Sequence, residues 1–252
     1  MRILVLLAAL AMPVVAFLSQ RGVFGPDNGE VSARYPTLLV AAGYAFSIWS
    51  LVFALDLVHA LRQLRARWRD DPLLARIAPA TAAGFALTAL WMPLFSQGLF
   101  AACLLVIFAA LACLLWVAVR LSDAGAHGGA HLWSWLGLSL HAGWLSLAAF
   151  LNLAQSALAF GWIHPQAQLV SSLLLLAAAT ALLLWFNARM RGNLAYAAAA
   201  LWGLVAMWVR QSGSTLPGSD PTARMALLAA ALLAAQSAWL RLRARRLAAT
   251  AH

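Results

Sequence analysis

Apolar runs recur along the chain, each about 16 to 26 residues long and so close to the length an α-helix needs to cross a bilayer. Short stretches rich in arginine, glycine, proline or histidine separate them. The pattern predicts eight membrane-spanning helices, near 3–19, 37–61, 77–97, 99–120, 132–160, 169–187, 194–209 and 225–241. Arg2 ahead of the first run is reminiscent of a secretory signal. That run is long for a signal core and no small-residue cleavage site follows, so a retained helix is expected. The connection 20–36 carries Gly25-Pro26-Asp27-Asn28-Gly29, a turn-rich stretch that leads into the second span. Ala-rich segments 174–182 and 226–236 predict packing helices with small-residue contacts. No internal repeat of the kind that builds many transporters is evident.

Composition turns this pattern into a class. The chain is 64% hydrophobic and only 10% charged over 252 residues. No soluble domain of that size hides so much apolar surface, so the expected fold is all-α, a polytopic helical membrane bundle. Every one of the 17 basic residues is arginine. Without lysine there is no retinal or pyridoxal Schiff base and no Walker-type phosphate loop. Cys103 and Cys113 share one apolar segment without C-x-x-C spacing, which gives no support to a disulfide framework, a c-type haem or a metal site.

The net charge of +10 resembles a nucleic-acid footprint until the arginines are mapped. With eight spans, thirteen arginines fall on the side of the termini and only Arg21, Arg34, Arg210 and Arg224 on the other. That is a positive-inside distribution, which predicts an inner-membrane protein with both termini cytoplasmic and no nucleic-acid partner. A seven-span count would put the Arg-rich carboxyl tail outside.

Polar groups within the spans are the candidates for chemistry, because at bilayer depth they need a partner, a cavity or a ligand. His141, Trp144, Ala148 and Asn152 share one face of the fifth span at helical spacing. In the second span, Phe46, Trp49, Phe53 and Asp56 form an aromatic stripe ending in an acid, with His59 three residues on as its nearest partner. Ordinary helix packing would give the same stripe. Asp56–His59 is the only acid–base candidate and is expected near the cytoplasmic end, away from the aromatic face. In the third span Thr88, Trp91 and Phe95 share a face, with Pro93 able to kink the helix. His59 and His141 lie at depths about 13 Å apart at 1.5 Å per residue, so one haem iron cannot bridge them. His127 and His131 are expected to be solvated loop residues; no metal ligands and no catalytic residues are assigned.

These residues carry a resemblance. Trp144-x-Ser146-x-Ala148-x-x-Leu151-Asn152 resembles the fifth-helix signature of the translocator protein family, the tryptophan-rich sensory proteins (TspO/MBR). Leu87-Thr88-x-x-Trp91-x-Pro93-Leu94-Phe95 is similar to its third-helix pattern, with Thr88 at an asparagine position. Gly43-Tyr44-Ala45-Phe46 followed by Trp49 resembles the start of its second helix. Ala41 and Ala42 replace two prolines there, Tyr44 a tryptophan, and the Phe46–Trp49 spacing is one residue short. Leu140 and His141 stand where the family has Pro-Tyr. The resemblance covers residues 1–160; 161–252 would add three helices and a basic cytoplasmic tail.

The resemblance implies a helical bundle with an apolar cavity, capped by the loop between the first two helices, that binds porphyrins or other flat hydrophobic molecules. The implied ligand-binding residues are Tyr44, Phe46, Trp49, Phe53, Thr88, Trp91, Phe95, His141, Trp144, Ala148 and Asn152. Aromatic rings would stack on the ligand, Ala148 would leave room, and Thr88, His141 and Asn152 would orient it. Arg21 or Arg34 could meet a ligand carboxylate from the cap, although solvated loop charge is the simpler reading. No cofactor is required beyond a bound tetrapyrrole as ligand. The expected partners are the lipid bilayer, a hydrophobic small molecule and, in a homodimer, a second copy of the chain. A regulatory or sensing role leads, against a small-molecule or lipid transporter and an enzyme that degrades the bound tetrapyrrole.

Overall fold

The computed structural model describes residues 1–249; positions 250–252 of the basic tail, and the side chains of Arg245, Leu247, Ala248 and Ala249, lie outside the description. Eight long helices and one short one follow in order: α1 (Arg2–Gln20), α2 (Asn28–Arg34), α3 (Ile48–Arg62), α4 (Pro72–Ser96), α5 (Phe100–Asp123), α6 (Leu132–Ala159), α7 (Gln168–Arg189), α8 (Leu194–Ser212) and α9 (Ser219–Ala249).

Among the described residues, seven of the long helices are long and apolar enough to cross a membrane. The remaining one, α8, is as long as α1, but Gly203, its tryptophans and the Arg210-Gln211 end make it less apolar. Its inward face buries Tyr196, Ala200, Leu204 and Met207. The chain is a polytopic helical membrane bundle, as the apolar runs predict.

The helices close two rings that share α6. One ring runs α1, α4, α5, α6, α3 and back to α1; the other runs α6, α8, α9, α7 and back to α6. Membership of both rings makes α6 the centre: 78% of its span is buried, against 28% for α1, α7 and α9. Close approach of α6 to α8 depends on Gly143, where a Cβ would stand 2.2 Å from the backbone oxygen of Tyr196. Gly203 gives the same relief from the other helix, below Leu147.

Local chemistry sets the helix ends. Asp71 accepts the backbone N–H of Leu74 at 2.8 Å and Pro72 opens α4, where the missing N–H has no helical partner to lose. Asn193 caps α8 by accepting from Ala195 and Tyr196. Asp27 and Glu30 form a reciprocal capping box on α2, so the connection 20–36, expected only to turn, contains a short helix whose signal is the Asp-x-x-Glu spacing.

The second span is shorter than its apolar run. Residues 37–42 form a non-helical strap that bends at Leu38 and Leu39, Gly43–Ser47 one 3-10 turn, and only Ile48–Arg62 is α-helical. Pro36 biases the residue before it away from helix. The strap's N–H groups then find partners outside it, Leu38 on the Gln168 side chain and Ala42 on the Ala206 carbonyl. Periodicity alone cannot register such distant acceptors.

A candidate ligand cavity

A cavity of about 890 Å³ opens inside the first ring. Its walls come from α1, α3, α4, α5 and α6, with α2, the strap and the carboxyl-terminal end of α8 closing round it. Ser19 of α1, Asn28 of α2 and Ser96 of α4 hydrogen-bond one another, and Gln155 of α6 donates to Ser32, which fixes the short helix over the walls.

Most of the residues singled out in the sequence meet here. Phe46, Trp49, Phe53, Thr88, Trp91, Phe95, Trp144, Ala148 and Asn152 all line the cavity. Trp49 stacks on Phe53 at 5.3 Å and stands edge-on to Trp144 at 6.1 Å; Phe46 meets Trp144 edge-on at 6.0 Å. On the facing wall Trp91 stacks on Phe95 at 4.8 Å. Ala148, one turn beyond Trp144 on α6, is the small residue between Trp144 and Asn152.

Two expected lining residues are elsewhere. Tyr44 is exposed and packs edge-on against Trp202 of α8 at 5.4 Å, because the 3-10 turn directs it outward. His141 is wholly buried behind the wall, edge-on to Trp49 and stacked with Phe85. Neither contributes to the cavity surface.

The acid–base pairing expected from the spacing along α3 is not the one formed. Asp56 does not pair with His59. Its Oδ2 lies 2.7 Å from Nδ1 of His141, with no exposed surface on either side chain. His59 hydrogen-bonds Ser134 at 2.8 Å, about two turns before His141 on α6. The acid therefore stands behind the aromatic wall, not apart from it. Three residues along α3 set Asp56 and His59 on adjacent turns, but the neighbouring helix supplies a better-placed partner to each.

This pair reaches the cavity through Thr88. The Thr88 hydroxyl donates to the Gly84 carbonyl at 2.8 Å, and its oxygen lies 3.4 Å from Nε2 of His141. A hydroxyl has one proton, so Nε2–H is the donor in the longer contact. One further proton lies between Nδ1 and Asp56. Whichever atom holds it, the pair carries no net charge, which is the condition for burying it at this depth.

His131 is likewise not a free loop residue: Nε2 meets Asp71 at 2.8 Å and the ring rests on Trp68. Arg21 lies over Phe17, and neither it nor Arg34 lines the cavity. The cation that does is Arg210, joined by Gln211, Thr37 and Gln155. Sequence reasoning missed these four; the one signal for Arg210 is its place among the few arginines on the sparse side.

Fold and cavity together define a class: a polytopic helical membrane protein with an aromatic-walled internal cavity. A family model described as TSPO-like protein matches residues 2–239. The chain belongs to this TSPO-like family, and the match extends past residue 160 through α7 and α8 into α9. No curated protein and no solved structure matches the chain.

Proposed function

We propose that this TSPO-like membrane protein binds a flat hydrophobic ligand, such as a porphyrin or another tetrapyrrole, in the aromatic cavity and serves a regulatory or sensing role. The observation that carries this reading is the cavity itself. Its volume of about 890 Å³ falls in the range of small-molecule sites, and two stacked aromatic pairs, with Ala148 also in the lining, offer faces to a planar ring system. The arginine distribution supports an inner-membrane location with both termini cytoplasmic and the α2 end of the bundle outside.

Titration of the purified protein with protoporphyrin, followed by the shift of its absorption band and by tryptophan quenching, tests this. Saturable micromolar binding is expected in the wild type. Ala148→Phe should abolish it by filling the space, and Trp144→Phe should weaken it, both with unchanged helical content. Binding that survives Ala148→Phe undiminished would remove the cavity as the site.

The buried Asp56–His141–Thr88 chain favours a second reading, ligand movement coupled to protons, since intramembrane ionisable pairs commonly serve proton relays. Ligand flux in proteoliposomes that responds to a pH gradient and is lost in Asp56→Asn would move the function to transport. Turnover of the bound tetrapyrrole under illumination would instead make it an enzyme.

A further inference from the structure

The cavity is unevenly supplied with hydrogen-bonding groups, and the imbalance bears on its ligand. Trp91 Nε1 donates to Oδ1 of Asn152 at 3.2 Å. An indole can only donate, so this bond fixes the amide orientation and leaves Asn152 Nδ2–H without an acceptor. Trp144 Nε1–H is buried with no partner, as are the Thr37 hydroxyl and both amide atoms of Gln211. All four side chains line the cavity. Unmet donors thus come from Trp144, Asn152, Gln211 and Thr37, while the acceptors left over are Gln211 Oε1 and the hydroxyl oxygen of Thr37. Buried polar atoms are normally paired, so such a set marks a place where a ligand or water completes them.

Charge sharpens the point. Among the described residues, Arg210 and Asp27 alone line the cavity with a charged group. Asp27 is engaged at the start of α2, accepting from Glu30 N–H at 2.8 Å. Arg210 has no carboxylate partner among the described residues. Arg210 is itself exposed at the cavity rim, at the end of α8, while the next residue, Gln211, is 1% exposed; there the strap is tied down by the Ala42–Ala206 bond and Leu38 lies against Gly218.

We infer that the ligand carries an acid group, and that Arg210, Gln211 and Thr37 form the subsite that receives it. The apolar body occupies the aromatic part of the cavity, and the acid oxygens accept from the guanidinium, from Gln211 Nε2 and from the Thr37 hydroxyl. Charge-assisted bonds to Arg are the strong kind, and a buried amide and hydroxyl beside it raise the selectivity for an acceptor-rich head. This subsite is built largely by α8, so the helices beyond residue 160 take part in choosing the ligand. The inference rests on the proposed binding function and adds the chemistry of the ligand's head.

The test compares protoporphyrin, a dicarboxylic acid, with its dimethyl ester, on the full-length protein in detergent. Wild type should bind the acid about tenfold more tightly than the ester, the scale of one charge-assisted hydrogen bond. Arg210→Gln and Gln211→Leu should each lower acid affinity far more than ester affinity and so erase that preference, with unchanged helical content and melting temperature reporting an intact bundle; Arg210→Lys should restore part of it. Equal binding of acid and ester by wild type would overturn the inference while the porphyrin reading stands. A preference that persists in both variants would overturn the assignment to these residues. Binding of neither compound would remove the porphyrin reading and this inference together.

Discussion

Asp56 on α3 and His141 on α6 share a 2.7 Å hydrogen bond with neither side chain reaching any surface. The bond joins two neighbouring helices of the first ring directly behind the ring of Trp49, and His141 passes the connection on to Thr88 at the cavity surface. Support of this kind holds the aromatic wall in place without polar atoms entering it. Asp56 Oδ1 remains unpaired, so the bond to His141 is the acid's single satisfied contact.

Breaking that bond from one side should be far more damaging than replacing both partners. Asp56→Ala and His141→Ala each strand a buried polar group, and each should destabilise the protein by about 3–5 kcal/mol. Asp56→Leu combined with His141→Phe should recover much of the loss, because apolar groups of similar size need no partner. Thermal unfolding in detergent checks this: additive losses in the double variant would show that the two side chains act independently.

The contact between α6 and α8 at Gly143 should tolerate no added volume. Gly143→Ala would place a methyl 2.2 Å from a backbone oxygen, which cannot swing away as a side chain can. Overpacking of this order destabilises by about 1–3 kcal/mol or more. Gly125→Ala offers a comparison, since a Cβ there meets nothing within 4 Å and only its positive φ of 66° opposes the change. A Gly143→Ala protein with wild-type melting temperature would mean the helices do not approach this closely.

Asp71 should make stability depend on acidity. Partial burial raises its carboxyl pKa, but the hydrogen bonds from Leu74 N–H and His131 outweigh this and hold it below its ordinary value of 3.8. A depressed folded-state pKa contributes stability that is present above 3.8 and disappears as the pH falls through the folded value. Asp71→Ala removes the α4 cap and should lower stability by about 1 kcal/mol at neutral pH. The same substitution should also flatten the acid limb of the unfolding curve; an unchanged limb would assign it to other carboxylates.

Much of this protein follows from local rules. Apolar runs of spanning length in a chain that is 64% hydrophobic and 10% charged lead to a polytopic helical membrane protein whatever the packing. Helical period groups Trp144, Ala148 and Asn152 on one face, and Trp49 with Phe53 on another, because the 3.6-residue repeat is a property of a single helix. The short motifs around Trp91 and Trp144 carry the family resemblance that the match over 2–239 establishes.

Only the tertiary structure decides which faces meet. Asp56 and His59 are neighbours in sequence, yet His141 and Ser134 claim them, since a face knows its own period but not the helix opposite. The strap 37–42 reads as helix until Gln168 and Ala206 take its N–H groups. Tyr44 turns outward for the same reason, in a 3-10 turn set by that strap. Arg210 and Gln211 reach the cavity because α8 packs on α6, bringing residues far along the chain to the end of a ring that closes before residue 160. Side-chain spacing fixes a helix's own surface; long-range packing, with close approaches such as Gly143 on Tyr196, determines what that surface encloses.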